Sequence, residues 1–180
     1  MVPEPPALPS TRSLAAFVGA VERLNEKVGK AVSWLLLAMT LVTLAVVILR
    51  YVFSLGFIWL QESYIWLNGI AFMLGAGYTL LQDGHVRVDI FYRPASPRLR
   101  AWVDLAGSLL LLLPMVAVAF VVSVPYVWAA WERLETSREA GGLPALFLLK
   151  SILLVFCLLL GLQGLALAAR SLMALVRRPS

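Results

Sequence analysis

Ionisable and amide side chains are scarce in this chain, so those set inside apolar sequence mark where chemistry is possible. Glu62 lies in the run Ile58-Trp59-Leu60-Gln61-Glu62-Ser63. A carboxylate is expensive in lipid, so Glu62 is expected to face protein or the interface. It could couple a proton or an ion. Its place near the end of its run, where water has access and the positive end of a helix dipole would meet it, favours a structural or partner-contact role. A second group follows in Asp83-Gly84-His85-Val86-Arg87-Val88-Asp89-Ile90. Asp83-Gly84 is a turn signal, and the alternation after it is that of an extended segment with His85, Arg87 and Asp89 on one face. Those three types could do acid–base work or hold a phosphate. With no second cluster to complete a metal or nucleophile site, a polar staple between helices or a docking surface is the stronger reading. Asn68 and Gln163 are amides within apolar runs and could join helices by hydrogen bonds. Cys157 is the single cysteine, which excludes an intramolecular disulfide and a cysteine metal site; it reads as a small packing residue. No enzyme activity and no cofactor are expected.

The elements that position these residues follow from composition. Of 180 residues, 61% are hydrophobic and 14% charged, against about 45–50% and about 25% in a soluble domain. A short chain cannot bury that excess in its own interior, and lipid is the simplest place for it. Four runs reach the roughly 20 residues needed to cross a bilayer: 31–49, 58–81, 102–131 and 144–169. The third is long and holds Pro114 and Pro125, which a tilt or kink would accommodate. Small residues four apart, Ala71 with Gly75 and Gly164 with Ala168, would let helix backbones approach. Residues 1–10 are proline-rich and expected to be disordered, and 171–180 form a basic tail.

Residues 11–30 are amphipathic, with Leu14, Phe17, Val18, Val21, Leu24 and Val28 at helical spacing. They read as a helix lying in the membrane interface before the first span, or as an extension of that span. The expected fold is an all-α integral membrane protein: four transmembrane helices preceded by an amphipathic interfacial helix. No cleavable secretory signal is expected, so the first span serves as an anchor. Trp34, Tyr51, Phe57, Trp59, Trp102, Trp128 and Trp131 fall near the span ends as an aromatic belt.

The net charge of +5 sits at the ends of apolar runs, which suits anionic headgroups and not nucleic acid. Arg12, Arg23, Lys27, Lys30, Arg87, Arg93, Arg98, Arg100, Arg170, Arg177 and Arg178 fall on one side of a four-span topology. Arg50, Arg133, Arg138 and Lys150 fall on the other. The positive-inside rule places both termini in the cytoplasm of a bacterial cell with an inner membrane. The loop 132–143 ends in Gly141-Gly142-Leu143-Pro144, a turn followed by a proline that would open a helix. No matched pair of interrupted spans suggests a substrate path. The residues by themselves point to a small accessory membrane subunit.

Arg50-Tyr51-Val52-Phe53, then Trp59-Leu60-Gln61-Glu62, then Gly75-Ala76-Gly77-Tyr78-Thr79-Leu80 leading into Asp83-Gly84-His85-Val86-Arg87-Val88-Asp89, together resemble the small, DctQ-type membrane subunit of TRAP (tripartite ATP-independent periplasmic) transporters. The resemblance covers about residues 30–170. Ser137-Arg138-Glu139 and Gly141-Gly142-Leu143-Pro144 resemble the branch labelled mannitol/chloroaromatic compound transport. The resemblance implies a large permease subunit that carries the substrate and sodium sites, and a periplasmic binding protein that delivers an organic acid. This chain would brace the large subunit. Trp59 and Glu62 would lie toward the periplasm, and His85, Arg87 and Asp89 at a cytoplasmic corner. With Asn68 they are expected to be partner-interface or structural residues. The alternative is a self-contained small homodimeric transporter using Glu62.

Overall fold

The computed structural model describes residues 9–85 and 92–176, which fold into long helices with no strand among the described residues. Helix α1 is Pro9–Val52, α2 is Ile58–Leu81, α3 is Pro97–Glu132 and α4 is Leu146–Val176. Each is long and apolar enough to cross a membrane. Hydrocarbon offers no water to backbone N–H and C=O groups, and a helix satisfies them within one segment. The chain is an all-α multi-pass membrane protein, and α2 has the bounds its apolar run suggests.

The other helices depart from the sequence reading at their ends. Residues 11–30 and 31–49 lie in one unbroken helix. No proline interrupts α1 after Pro9. Its 44 residues at about 1.5 Å each extend far beyond the roughly 30 Å hydrocarbon core. Part of the amphipathic stripe is covered by protein: Val18 and Val21 are buried against Ala166 and Ala169, with Leu14, Leu162 and Met173 around them. Phe17 and Leu24 stay exposed, and Arg170 reaches Glu22 at 3.3 Å.

Helix α3 starts at Pro97, ahead of the expected 102, because the Ser96 hydroxyl accepts from the Leu99 N–H at 3.3 Å and proline suits the first turn. It widens into a π-turn over Ser108–Leu112, where the Leu113 N–H donates to Ser108 O. Pro114 follows directly. Its ring would press on the carbonyl four residues back, and the wider turn gives that carbonyl room. Helix α4 begins at Leu146 and not at Pro144, since Ala145 takes a positive φ of 67° that a helix cannot include. It continues to Val176, well into the expected tail.

Helix α4 is the centre of the bundle, touching α1, α2 and α3. Its buried residues are mostly small, including Gly164, Ala166, Ala168, Ala169 and Ser171, so neighbouring backbones come close. Deeper in, Val116, Cys157 and Leu160 form a second cluster with Leu80, Leu112 and Phe120. Between the two clusters lies a polar contact. Asn25 is 0% and Gln163 1% exposed, and Asn25 Nδ2 donates to Gln163 Oε1 at 2.9 Å and to Val21 O at 3.4 Å. Asn25 Oδ1 has no hydrogen-bond partner among the described residues and sits on the backbone of Gly77. A Cβ at Gly77 would lie 2.2 Å from that oxygen and 3.3 Å from Leu159 O. Glycine here is a close-approach residue at the junction of α1, α2 and α4.

Gly77→Ala is expected to separate these helices and destabilise the subunit by about 1–3 kcal/mol through overpacking. Gln163→Leu should cost about 0.6–1.7 kcal/mol by removing an interhelical hydrogen bond in the membrane. Thermal unfolding of the purified variants in mild detergent measures both.

Candidate functional site

Glu62 stands one turn into α2 and reaches across to the loop between α3 and α4. Its Oε2 accepts the Leu143 N–H at 2.5 Å, and its Oε1 accepts the Ser137 hydroxyl. The loop is shaped to present those donors together. Ser137 N–H donates to Leu143 O at 3.2 Å, which sets the two residues opposite each other, and Gly142 N–H donates to Glu139 O at 3.0 Å. The Ser137 oxygen also accepts the Glu139 N–H at 3.1 Å. The paired glycines have separate duties. Gly141 takes a φ of +79°, while a Cβ on Gly142 would lie 2.4 Å from Ser137 Oγ and 2.8 Å from Glu62 Oε2. Each carboxylate oxygen therefore holds a fixed donor from the same loop.

Other contacts tie this end of the bundle together. Lys150, on the first turn of α4, pairs with Glu135 at 2.6 Å, and its ammonium lies 4.2 Å from the centre of the Tyr126 ring. The Trp131 indole N–H donates to Ser151 Oγ at 2.8 Å, and its ring meets Phe147 edge-on at 4.6 Å. Trp59 is outside this set, half exposed beside Phe57 at 6.1 Å. Sequence reasoning gave Glu62 its structural weighting but missed Ser137, Leu143 and the Lys150–Glu135 pair. One signal was available: a lysine opening an apolar run needs an anion, and Glu135 stands in the preceding loop.

The opposite end is organised differently. His85 is exposed after the turn at Asp83, whose φ is 53°. Arg87 and Asp89 lie outside the described residues, as does the extended segment expected there. The Tyr92 hydroxyl donates to Asp104 Oδ2 at 2.7 Å. Arg100 donates through Nε to Ala95 O at 3.0 Å and through a terminal nitrogen to Arg93 O, with its guanidinium 5.5 Å from the Tyr92 ring centre. His85, Tyr92 and Asp104 line the polar end of a groove of about 730 Å³ whose apolar part includes Leu111, Met115 and Leu160. Asn68, near the middle of α2, is exposed and joins neither end. Among the described residues no three His, Cys, Asp or Glu side chains gather as a metal site.

One comparison with known proteins agrees with the architecture. The family model described as "Tripartite ATP-independent periplasmic transporters, DctQ component" matches residues 39–174. No curated protein and no solved structure matches.

Two outcomes follow from the loop geometry. Glu62→Gln leaves one acceptor oxygen and removes the charge, and loss of hydrogen bonds to a charged group should speed amide exchange of the loop around Leu143 about tenfold or more. Hydrogen-exchange mass spectrometry of residues 133–145 reads it. The second concerns Glu135, which lies in the loop. The hydrogen bond from Lys150 chiefly holds its carboxyl below the ordinary 4.5, against desolvation and with help from the charges of Lys150, Arg138 and Arg133. A lowered folded value means the pair stabilises fully above that ordinary value and loses its effect as pH falls below it. The melting temperatures of wild type and Glu135→Gln should differ at neutral pH and converge in acid.

Proposed function

The chain belongs to the DctQ family, the small membrane component of TRAP transporters, and from that premise we propose that it braces the large permease subunit and helps a periplasmic substrate-binding protein to dock during ion-coupled uptake of an organic acid. The observation that carries the bracing role is Glu62. Both of its oxygens are committed to the α3–α4 loop, so the acid best placed for coupling serves as a latch. This favours the accessory subunit over a self-contained homodimeric transporter using Glu62. The Lys150–Glu135 pair and the Trp131 contacts stiffen the same end, which suits a rigid platform beside a moving partner.

In this reading the Glu62 end faces the periplasm. His85, Arg87, Asp89 and both termini face the cytoplasm of a cell whose inner membrane holds the complex, as the distribution of arginine and lysine favours. Trp59 and the loop around Ser137 then stand at the docking side, and Asn68 within the bilayer. The chain is read as a non-enzymatic component with membrane lipids as its remaining neighbours.

Tagged chain expressed in its native host should bring down a much larger multi-helix permease in near one-to-one amount. Liposomes holding this chain alone should show no solute uptake, and uptake by them would overturn the bracing role. Glu62→Lys should lower transport by the whole complex by weakening assembly or docking; normal assembly with unchanged uptake contradicts that role for Glu62.

A further inference from the structure

Many of the described polar side chains inside the spans are answered within the chain, and the two buried polar atoms without a partner among the described residues, Asn25 Oδ1 and Ser108 Oγ, are enclosed by the bundle itself. Asn25 and Gln163 meet each other in the core. Thr40 and Thr43, though exposed on α1, return their hydroxyls to Leu36 O at 2.9 Å and Met39 O at 2.8 Å. Ser63 does the same to Trp59 O at 2.7 Å. Asn68 is different. It is exposed, close to the midpoint of the 24-residue α2, and its amide has no hydrogen-bond partner among the described residues.

Its neighbours on the helix share its direction. Ile65 is 55% and Phe72 78% exposed, three before and four after Asn68, which is the spacing of one helix face. Gly69 lies between them, and a Cβ there would meet nothing within 4 Å. The stripe is therefore an amide beside a notch, walled by two large apolar side chains. Acyl chains fill apolar walls as well as protein does, but they neither donate to nor accept from an amide. A carboxamide at mid-depth of a span needs another polypeptide to hydrogen-bond it.

We propose that the Ile65–Asn68–Gly69–Phe72 face of α2 is where a transmembrane helix of the large permease subunit docks, with a hydrogen-bonding side chain or an opened backbone carbonyl set against Asn68. This rests on the accessory-subunit reading and names the face that serves it. Gly69 lets the partner backbone approach, and Phe72 and Ile65 fix its position along α2. The arrangement gives specificity as well as attachment, since a helix without a polar group at that depth leaves the amide unanswered.

The test uses the whole complex from its native host. A photoreactive phenylalanine analogue in place of Ile65 or Phe72 should cross-link to the large subunit. Adducts with lipid alone or with a second copy of this chain, while the large subunit still co-purifies, overturn the proposed face and leave the accessory-subunit reading standing. Absence of the large subunit from wild-type preparations overturns that reading and the proposal with it. Asn68→Leu should reduce the co-purified large subunit about three- to tenfold, the range expected for one membrane hydrogen bond, and Asn68→Gln should recover part of it. Full retention by Asn68→Leu overturns the proposal. So does a lowered melting temperature of the isolated Asn68→Leu subunit, which would show the amide acting inside the chain.

Discussion

The packing of three of the four helices depends on one hydrogen bond made away from water, from Asn25 to Gln163. An amide in such a place has no solvent to fall back on, so α1 and α4 are held in the register that joins the two side chains. The pair also governs α2. Asn25 Oδ1 lies against Gly77, and any larger residue there would drive α2 away. Apolar contacts alone would not set this register, because a leucine gains little by leaving lipid for another leucine. The small residues of α4 allow the approach, and the amides decide at which residue it happens.

The two ends of the bundle show how the same constraint is met near the interface. At the Glu62 end a carboxylate holds a loop through its backbone, and a lysine and a glutamate close the gap between α3 and α4. These contacts link elements far apart in the chain: Glu62 belongs to α2 yet orders the connection between the last two helices. At the other end Tyr92 joins Asp104, Arg100 joins Arg93 and Ala95, and Arg170 of α4 reaches Glu22 of α1.

How much of this was readable in sequence depended on the range of the interaction. The four spans were readable because hydropathy and length are local properties, and α2 came out with its ends in place. Glu62 stood out because an acid in an apolar run violates a local rule. Its partners did not, because a serine and a backbone N–H in a mixed-charge loop are unremarkable until the fold brings them to the carboxylate. Asn25 was hidden more deeply. It sits among Arg23, Glu26 and Lys27 in a segment with an interfacial pattern, and only the unbroken run of α1 against α4 makes it a core residue. The periodicity of residues 11–30 was real. What it met was settled by tertiary contact: helix α4 covers Val18 and Val21.

The surface of a membrane subunit has to be read by a different rule from that of a soluble one. In water, an exposed apolar patch is a signal that a partner belongs there. Here α1 exposes Leu37, Leu41 and Leu44, and α3 exposes Leu110, Val118 and Val121, yet lipid satisfies all of them. Such faces carry no information about neighbours. Information resides in what lipid cannot supply, which is hydrogen bonds and shapes that exclude fluid chains. By that rule buried Asn25 and exposed Asn68 are the same kind of residue. Asn25 has found acceptors for its amide N–H groups within the chain, and Asn68 presents the same demand outward at the middle of a span.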